Sequence, residues 1–108
     1  NVIIGPYTSI GDNCVIKSGG KIFSSSIYSG VVIGKETTVS GSILDINTTI
    51  GDDCSIEHNT VIGPRCVLRS GITIHSGVRI WPDVIVEEGA VVKENLLNDR
   101  YDTKADGS

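Results

Sequence analysis

Residues Ile50–Leu68 read IGDDCSIEHNTVIGPRCVL and bring two cysteines, a histidine and several carboxylates into nineteen positions. By density alone the stretch suggests a metal or catalytic site. Its aliphatic residues say otherwise. Ile50, Ile56, Ile62 and Leu68 recur every six residues, and the stride continues through Ile74, Ile80, Val86 and Val92. It runs back to Leu44, and from the other end it gives Ile4, Ile10, Ile16 and Ile22. Two five-residue steps, Ile22 to Ile27 and Val39 to Leu44, join the halves through Ile33 and Val39. Sixteen consecutive rungs are Ile, Leu or Val, so a repeat and not a local motif organises the chain.

Two positions before each rung the residue is mostly small: Thr8, Cys14, Gly20, Ser25, Val31, Thr37, Ser42, Thr48, Cys54, Thr60 and Cys66, giving way later to Ile72, Val78, Val84 and Ala90. In a strand, residues i and i−2 point the same way, so rung and small residue share one interior. Three positions after the rung, eleven of fourteen full-length units carry Gly, Asn or Asp, Asn95 the last of them. Those residue types tolerate positive φ, so each unit reads as a short strand and a tight corner. A six-residue stride drifts around a helix, which excludes that alternative. Three units close a triangular coil, and the coils stack at about 4.8 Å. The prediction is all-β, a single-stranded parallel β-helix of a little over five coils. Its sides are A (rungs Ile4, Ile22, Val39, Ile56, Ile74, Val92), B (Ile10, Ile27, Leu44, Ile62, Ile80) and C (Ile16, Ile33, Ile50, Leu68, Val86).

The opening stretch then reads differently. Cys14, Cys54 and Cys66 hold the inward position and are expected to be core thiols. Cys14 and Cys66 share side C but stand three coils apart, on the order of 14 Å, too far for a disulfide or a shared metal. Asp52, Asp53 and Glu57 fall at solvated corners.

At 108 residues the chain is one domain, and a net charge of −4 with scattered Lys and Arg argues against nucleic-acid or anionic-membrane partners. No apolar run approaches the roughly 20 residues that span a bilayer, and no signal-peptide pattern opens the chain. Three cysteines, an odd number, favour a reducing compartment and hence the cytoplasm. The sequence begins inside the pattern and without Met, which leads us to expect a piece of a longer protein. After Leu97 the pattern stops, and residues 98–108, NDRYDTKADGS, read as a polar tail or linker.

Units such as IGDNCV, IGKETT, IGDDCS and IGPRCV resemble the hexapeptide repeat of left-handed parallel β-helices, from Val2 to about Leu97. The resemblance implies the left-handed sense, against the usual right-handed crossover. It leaves function open among trimeric acyltransferases, γ-class carbonic anhydrases and C-terminal domains of sugar nucleotidyltransferases. The acyltransferases pair a general-base His with an extruded loop, and no unit here exceeds six residues. His58 and His75, near the side A corner of adjacent coils, are the weak catalytic candidates for an acyl-CoA-dependent enzyme; the alternative is a surface histidine beside Glu57. A carbonic anhydrase site needs three histidines, and the chain has two.

The segment GVRIWPDVIVEEGAVVKENLL, Gly77–Leu97, resembles the end of the β-helix in mannose-1-phosphate guanylyltransferase-like enzymes. That implies a non-catalytic C-terminal domain that builds an oligomer, with chemistry and Mg²⁺ in a separate N-terminal domain and no cofactor here. The glycine cluster SGGK, Ser18–Lys21, sits at a β-helix corner and not before a helix, so it is no phosphate loop. Among residues just before the rungs, side C alone carries an almost continuous aliphatic stripe: Val15, Val32, Thr49, Val67 and Ile85. Such a stripe marks an expected contact, through trimerisation or docking of the catalytic domain. Tyr28 and Trp81, each following a side B rung, are expected to face outward.

Overall fold

A computed structural model describes residues 1–97 of the chain. It contains sixteen strands of two or three residues, one at each rung, and no helix among the described residues. The strands form three parallel sheets of six, five and five, and each sheet collects every third strand in order. These are sides A, B and C, so about five coils stack into a prism. The five-residue units show in the register. Ile22 pairs with Val39 and Ile33 with Ile50, offsets of 17, whereas Ile56 pairs with Ile74 and Leu68 with Val86, offsets of 18. Each short unit removes one corner residue and leaves every rung in its column. The prism measures 36 × 20 × 20 Å.

Rungs from Ile22 to Val92 are buried and form one continuous core. The inward residue two places earlier does more than save space. Thr37 Oγ1 donates to Gly51 O at 2.7 Å, Thr48 Oγ1 to Gly63 O at 2.7 Å and Thr60 Oγ1 to His75 O at 3.2 Å. Thiols do the same: Cys54 Sγ donates to Arg69 O at 3.1 Å and Cys66 Sγ to Trp81 O at 3.0 Å. Each acceptor is the carbonyl just after a rung of the following coil, where the strand ladder has ended and a backbone group needs another partner. Among the described residues no buried side-chain nitrogen or oxygen lacks a partner. The alternation of Thr, Ser and Cys therefore supplies donors to the corners.

Ten of the eleven Gly, Asn and Asp corners have positive φ, as at Asn47 (59°) and Gly71 (73°). The three full-length units without such a residue turn the same way: Tyr7, Glu36 and Arg65 have φ of 59°, 57° and 60°. Stacking imposes the corner on Glu36 and Arg65, since Glu36 N donates to Ser18 O and Arg65 N to Ile46 O, one coil back. Asn95 departs from expectation. Its φ is not positive; instead its Oδ1 accepts from Arg79 N at 2.8 Å. Leu96 then reaches side B ahead of the six-residue schedule and bridges Ile80. The Ile-Gly pairs reflect crowding, not φ: a Cβ on Gly51 would lie 2.8 Å from the Arg69 carbonyl carbon.

The two ends differ. Leu96, 4% exposed, bridges Ile80 and joins the core at the C-terminal end of the described coils. At the other end Ile4 and Ile10, expected in the core with the other rungs, stand on the first described coil and are 44% and 37% exposed. The expected tail, 98–108, lies outside the described residues.

Candidate functional site

Register places the predicted side C stripe in one column, Val15, Val32, Thr49, Val67 and Ile85 each paired with the next. Val15 and Thr49 are exposed; Val32, Val67 and Ile85 are half-buried by their neighbours in the sheet. The expected outward positions of Tyr28 and Trp81 are found, at 47% and 52% exposure. Two further exposed apolar residues widen the surface, Ile43 on side B and Ile46 at the corner between sides B and C. Ile46 is two residues past a rung, and a reading confined to the position before each rung passes over it. The aliphatic column is thus flanked by a partly apolar ridge at one edge.

The ridge carries an ion pair. Arg65 Nε and Nη2 donate to Asp83 Oδ1 and Oδ2 at 2.8 and 3.0 Å, a bidentate fork along the stacking direction. The guanidinium holds the Asp83 carboxyl below the usual carboxylate range. Both side chains are about half exposed, so the pair adds little stability.

His58 and His75 do not occupy equivalent positions. His75 immediately follows a rung, and its Nδ1 lies 3.7 Å from Glu57 Oε1, directly beneath it in the column. His58 is one residue further round the corner, with its ring over Gly41, where the five-residue unit leaves room. The carboxylate thus addresses His75 and not its own chain neighbour. The His58 imidazole is exposed and that of His75 partly so. Cys54 and Cys66 are buried as expected, and burial pushes both thiols up from their ordinary value. Among the described residues no three His, Cys, Asp or Glu side chains converge as a metal group. Asp52 and Asp53 serve the corner: Asp52 Oδ1 accepts from Lys35 N at 2.7 Å and Asp53 N donates to Lys35 O.

Residues 1–78 match the model of the GMPPB C-terminal domain. The chain belongs to that family. Among curated relatives it is 32% identical to mannose-1-phosphate guanylyltransferase 1 of Arabidopsis thaliana over 76 residues, 70% of this chain and 21% of that protein. It is 35% identical to the bifunctional protein GlmU of Lactobacillus helveticus over 80 residues, 74% of this chain and 16% of that protein. The chain therefore spans about a fifth of the curated relatives it matches. The acetyltransferase domain of PglB from Neisseria gonorrhoeae superposes with a TM-score of 0.88 at 21% identity, over 91% of this chain and 49% of that one. PerB from Caulobacter crescentus, solved with CoA and GDP-perosamine, gives 0.88 at 24%, over 90% and 48%. At those identities the two share the fold. For a GMPPB C-terminal domain the deciding residues are the body of the coil. The family match ends at residue 78, so the Ile-Trp-Pro segment that first suggests the family lies almost wholly beyond it.

Proposed function

We propose that this chain is the C-terminal β-helix domain of a sugar-1-phosphate nucleotidyltransferase of the mannose-1-phosphate guanylyltransferase kind, serving there as an assembly scaffold. The family match over residues 1–78 carries the reading. The geometry supports it, because among the described residues each unit spans five or six residues and the stacked register runs unbroken through sixteen strands, with no extruded loop there to shape an acyl-donor site. In the parent protein an oxygen of the sugar 1-phosphate attacks the α-phosphorus of a nucleoside triphosphate and pyrophosphate leaves. Mg²⁺ and the residues for that step belong to the rest of the protein. We assign the cytoplasm, a reducing compartment suited to three free thiols. Among the described residues no helix is long and apolar enough to cross a membrane.

Side C is the proposed contact, as a trimer built on Val15, Val32, Thr49, Val67 and Ile85. The test is the solution mass of the chain by light scattering beside a Val32→Glu, Val67→Glu double variant. We expect three chains in the parent sequence and folded single chains in the variant. Single chains in both would refute the side C trimer. Turnover of acetyl-CoA that is lost on replacing His58 or His75 would replace the scaffold reading with an acyltransferase.

A further inference from the structure

Three copies around an axis parallel to the prism cannot all meet through one flat side. In a closed ring each copy presents two different surfaces, one to each neighbour. A copy turned by about 120° sets its side C against whatever faces about 60° away from side C on the next copy. The sides of a triangular prism face about 120° apart, so that direction is a corner, either between sides B and C or between sides C and A. The two corners differ in chemistry. Every coil places a charged residue on the C/A corner: Lys17, Lys35, Asp52, Arg69 and Glu87. The B/C corner instead exposes Tyr28, Ile46 and Trp81, with Pro64 and Pro82 beside them. Its charges between Tyr28 and Asp83 are already engaged. Arg65 and Asp83 hold each other in the bidentate fork, and Asp45 Oδ1 accepts from Ile46 N at 2.7 Å.

We propose that the B/C corner of one copy packs against side C of the next, and that three such contacts close the ring. The inference rests on the side C trimer proposed above and supplies its second, unlike surface. Charge selects this corner over the other. Interface cores are depleted in charged residues and enriched in Trp and Tyr, and a charge without a partner loses its hydration on burial. Area points the same way. A side of the prism is at most 36 by 20 Å, about 700 Å², close to the roughly 800 Å² that each partner gives to a stable interface. A bare edge would leave most of side C uncovered, whereas Tyr28, Ile46 and Trp81 project from three different coils and broaden the corner. Rotation about an axis parallel to the prism keeps each coil at its own level. It therefore sets Tyr28 at the level of Val32 in the next copy, Ile46 at that of Thr49 and Trp81 at that of Ile85.

The experiment is light scattering on an Ile46→Glu, Trp81→Glu variant, alone and mixed in equal amounts with the Val32→Glu, Val67→Glu variant, beside the unsubstituted chain. Urea unfolding checks that each variant is folded; none of the four substituted side chains is buried. Ile46→Gln, Trp81→Gln takes the place of the corner variant if the glutamates unfold it. A ring closed by unlike surfaces gives three chains for the unsubstituted protein and one for each variant. The mixture then gives two chains, because the intact corner of one variant meets the intact side C of the other and the ring stays open. Mixing is carried to about a hundredfold above the concentration that assembles the unsubstituted chain, since a single contact lacks the avidity of a closed ring. A corner variant that remains three chains overturns the proposal and leaves the side C trimer standing. A mixture that remains single chains also overturns it. Two chains for the unsubstituted protein, with no pairing in the mixture, mark a two-fold contact of side C with itself and overturn it as well. Single chains for the unsubstituted protein refute the trimer and the corner contact together.

Discussion

Thr48 shows what the inward position asks of a side chain. It is fully buried, its hydroxyl donates to Gly63 O, and it accepts from Cys66 N at 3.4 Å. Thr48→Val keeps the shape and strands the Gly63 carbonyl, so we expect a loss of about 1–3 kcal/mol in urea unfolding. Thr48→Cys, which keeps a donor, should lose clearly less. Equal losses for the two would show that volume, not hydrogen bonding, sets the residue type. The thiols that fill this role carry a pH signature. Burial raises the Cys54 and Cys66 thiols above 9.0, so the folded chain holds protons that the unfolded chain releases. Their contribution is intact below about pH 9 and is lost as pH climbs from there through the folded-state values. The urea midpoint should fall as pH rises above about 9, and that of a Cys54→Thr, Cys66→Thr variant should fall less. The identity of these positions was legible in the sequence, since Thr, Ser and Cys alternate at one place in the unit. Their acceptors were not, because they lie 14 or 15 residues away on the next coil.

At the scale of the element, a unit is a strand of two or three residues too short to persist alone, and its corner is dictated by the coil before it. Glu36 makes the point: nothing in its chemistry favours φ of 57°, yet its amide must reach Ser18 O. A left-handed conformation costs a residue with an ordinary side chain about 1–2 kcal/mol, and Asn much less. Glu36→Asn should therefore stabilise the chain by about 0.5–1 kcal/mol, measured as a shift of the urea midpoint at unchanged slope. No shift, or a loss, would mean that the carboxylate earns its place through contacts with the Gly19 corner. The Gly, Asn and Asp corners could be read from residue type, whereas Tyr7, Glu36 and Arg65 could be placed only by counting from their rungs. Asn95 fitted the count and not the structure, because Leu96 is drawn early onto Ile80 by the apolar end of the prism.

Over the whole molecule the core is a line and not a ball, so the same aliphatic rung differs in value with its position along the axis. Ile50 has a coil on each side and is 1% exposed, whereas Ile10 belongs to the end coil and is 37% exposed. In this 108-residue chain Ile50→Ala should cost about 2–5 kcal/mol. Ile10→Ala should cost less than half as much; equal costs would show that the end coil is packed as tightly as the middle. The candidate surface obeys the same logic. Side C could be read as one aliphatic column because strand alternation fixes which residues face out, but its extension to Ile46 depends on how the corner directs a side chain. His58 and His75 could be placed near one corner by counting, but not the choice of Glu57 for His75, since carboxylate and imidazole are brought together by an 18-residue stacking offset. The six-residue period by itself determined the three sides, the membership of each column, the inward cysteines and the two short units, because a strict period leaves the chain one way to bury its rungs. Tertiary structure alone decided which side chains meet between coils and how the corners are strained, because those depend on neighbours a full coil away.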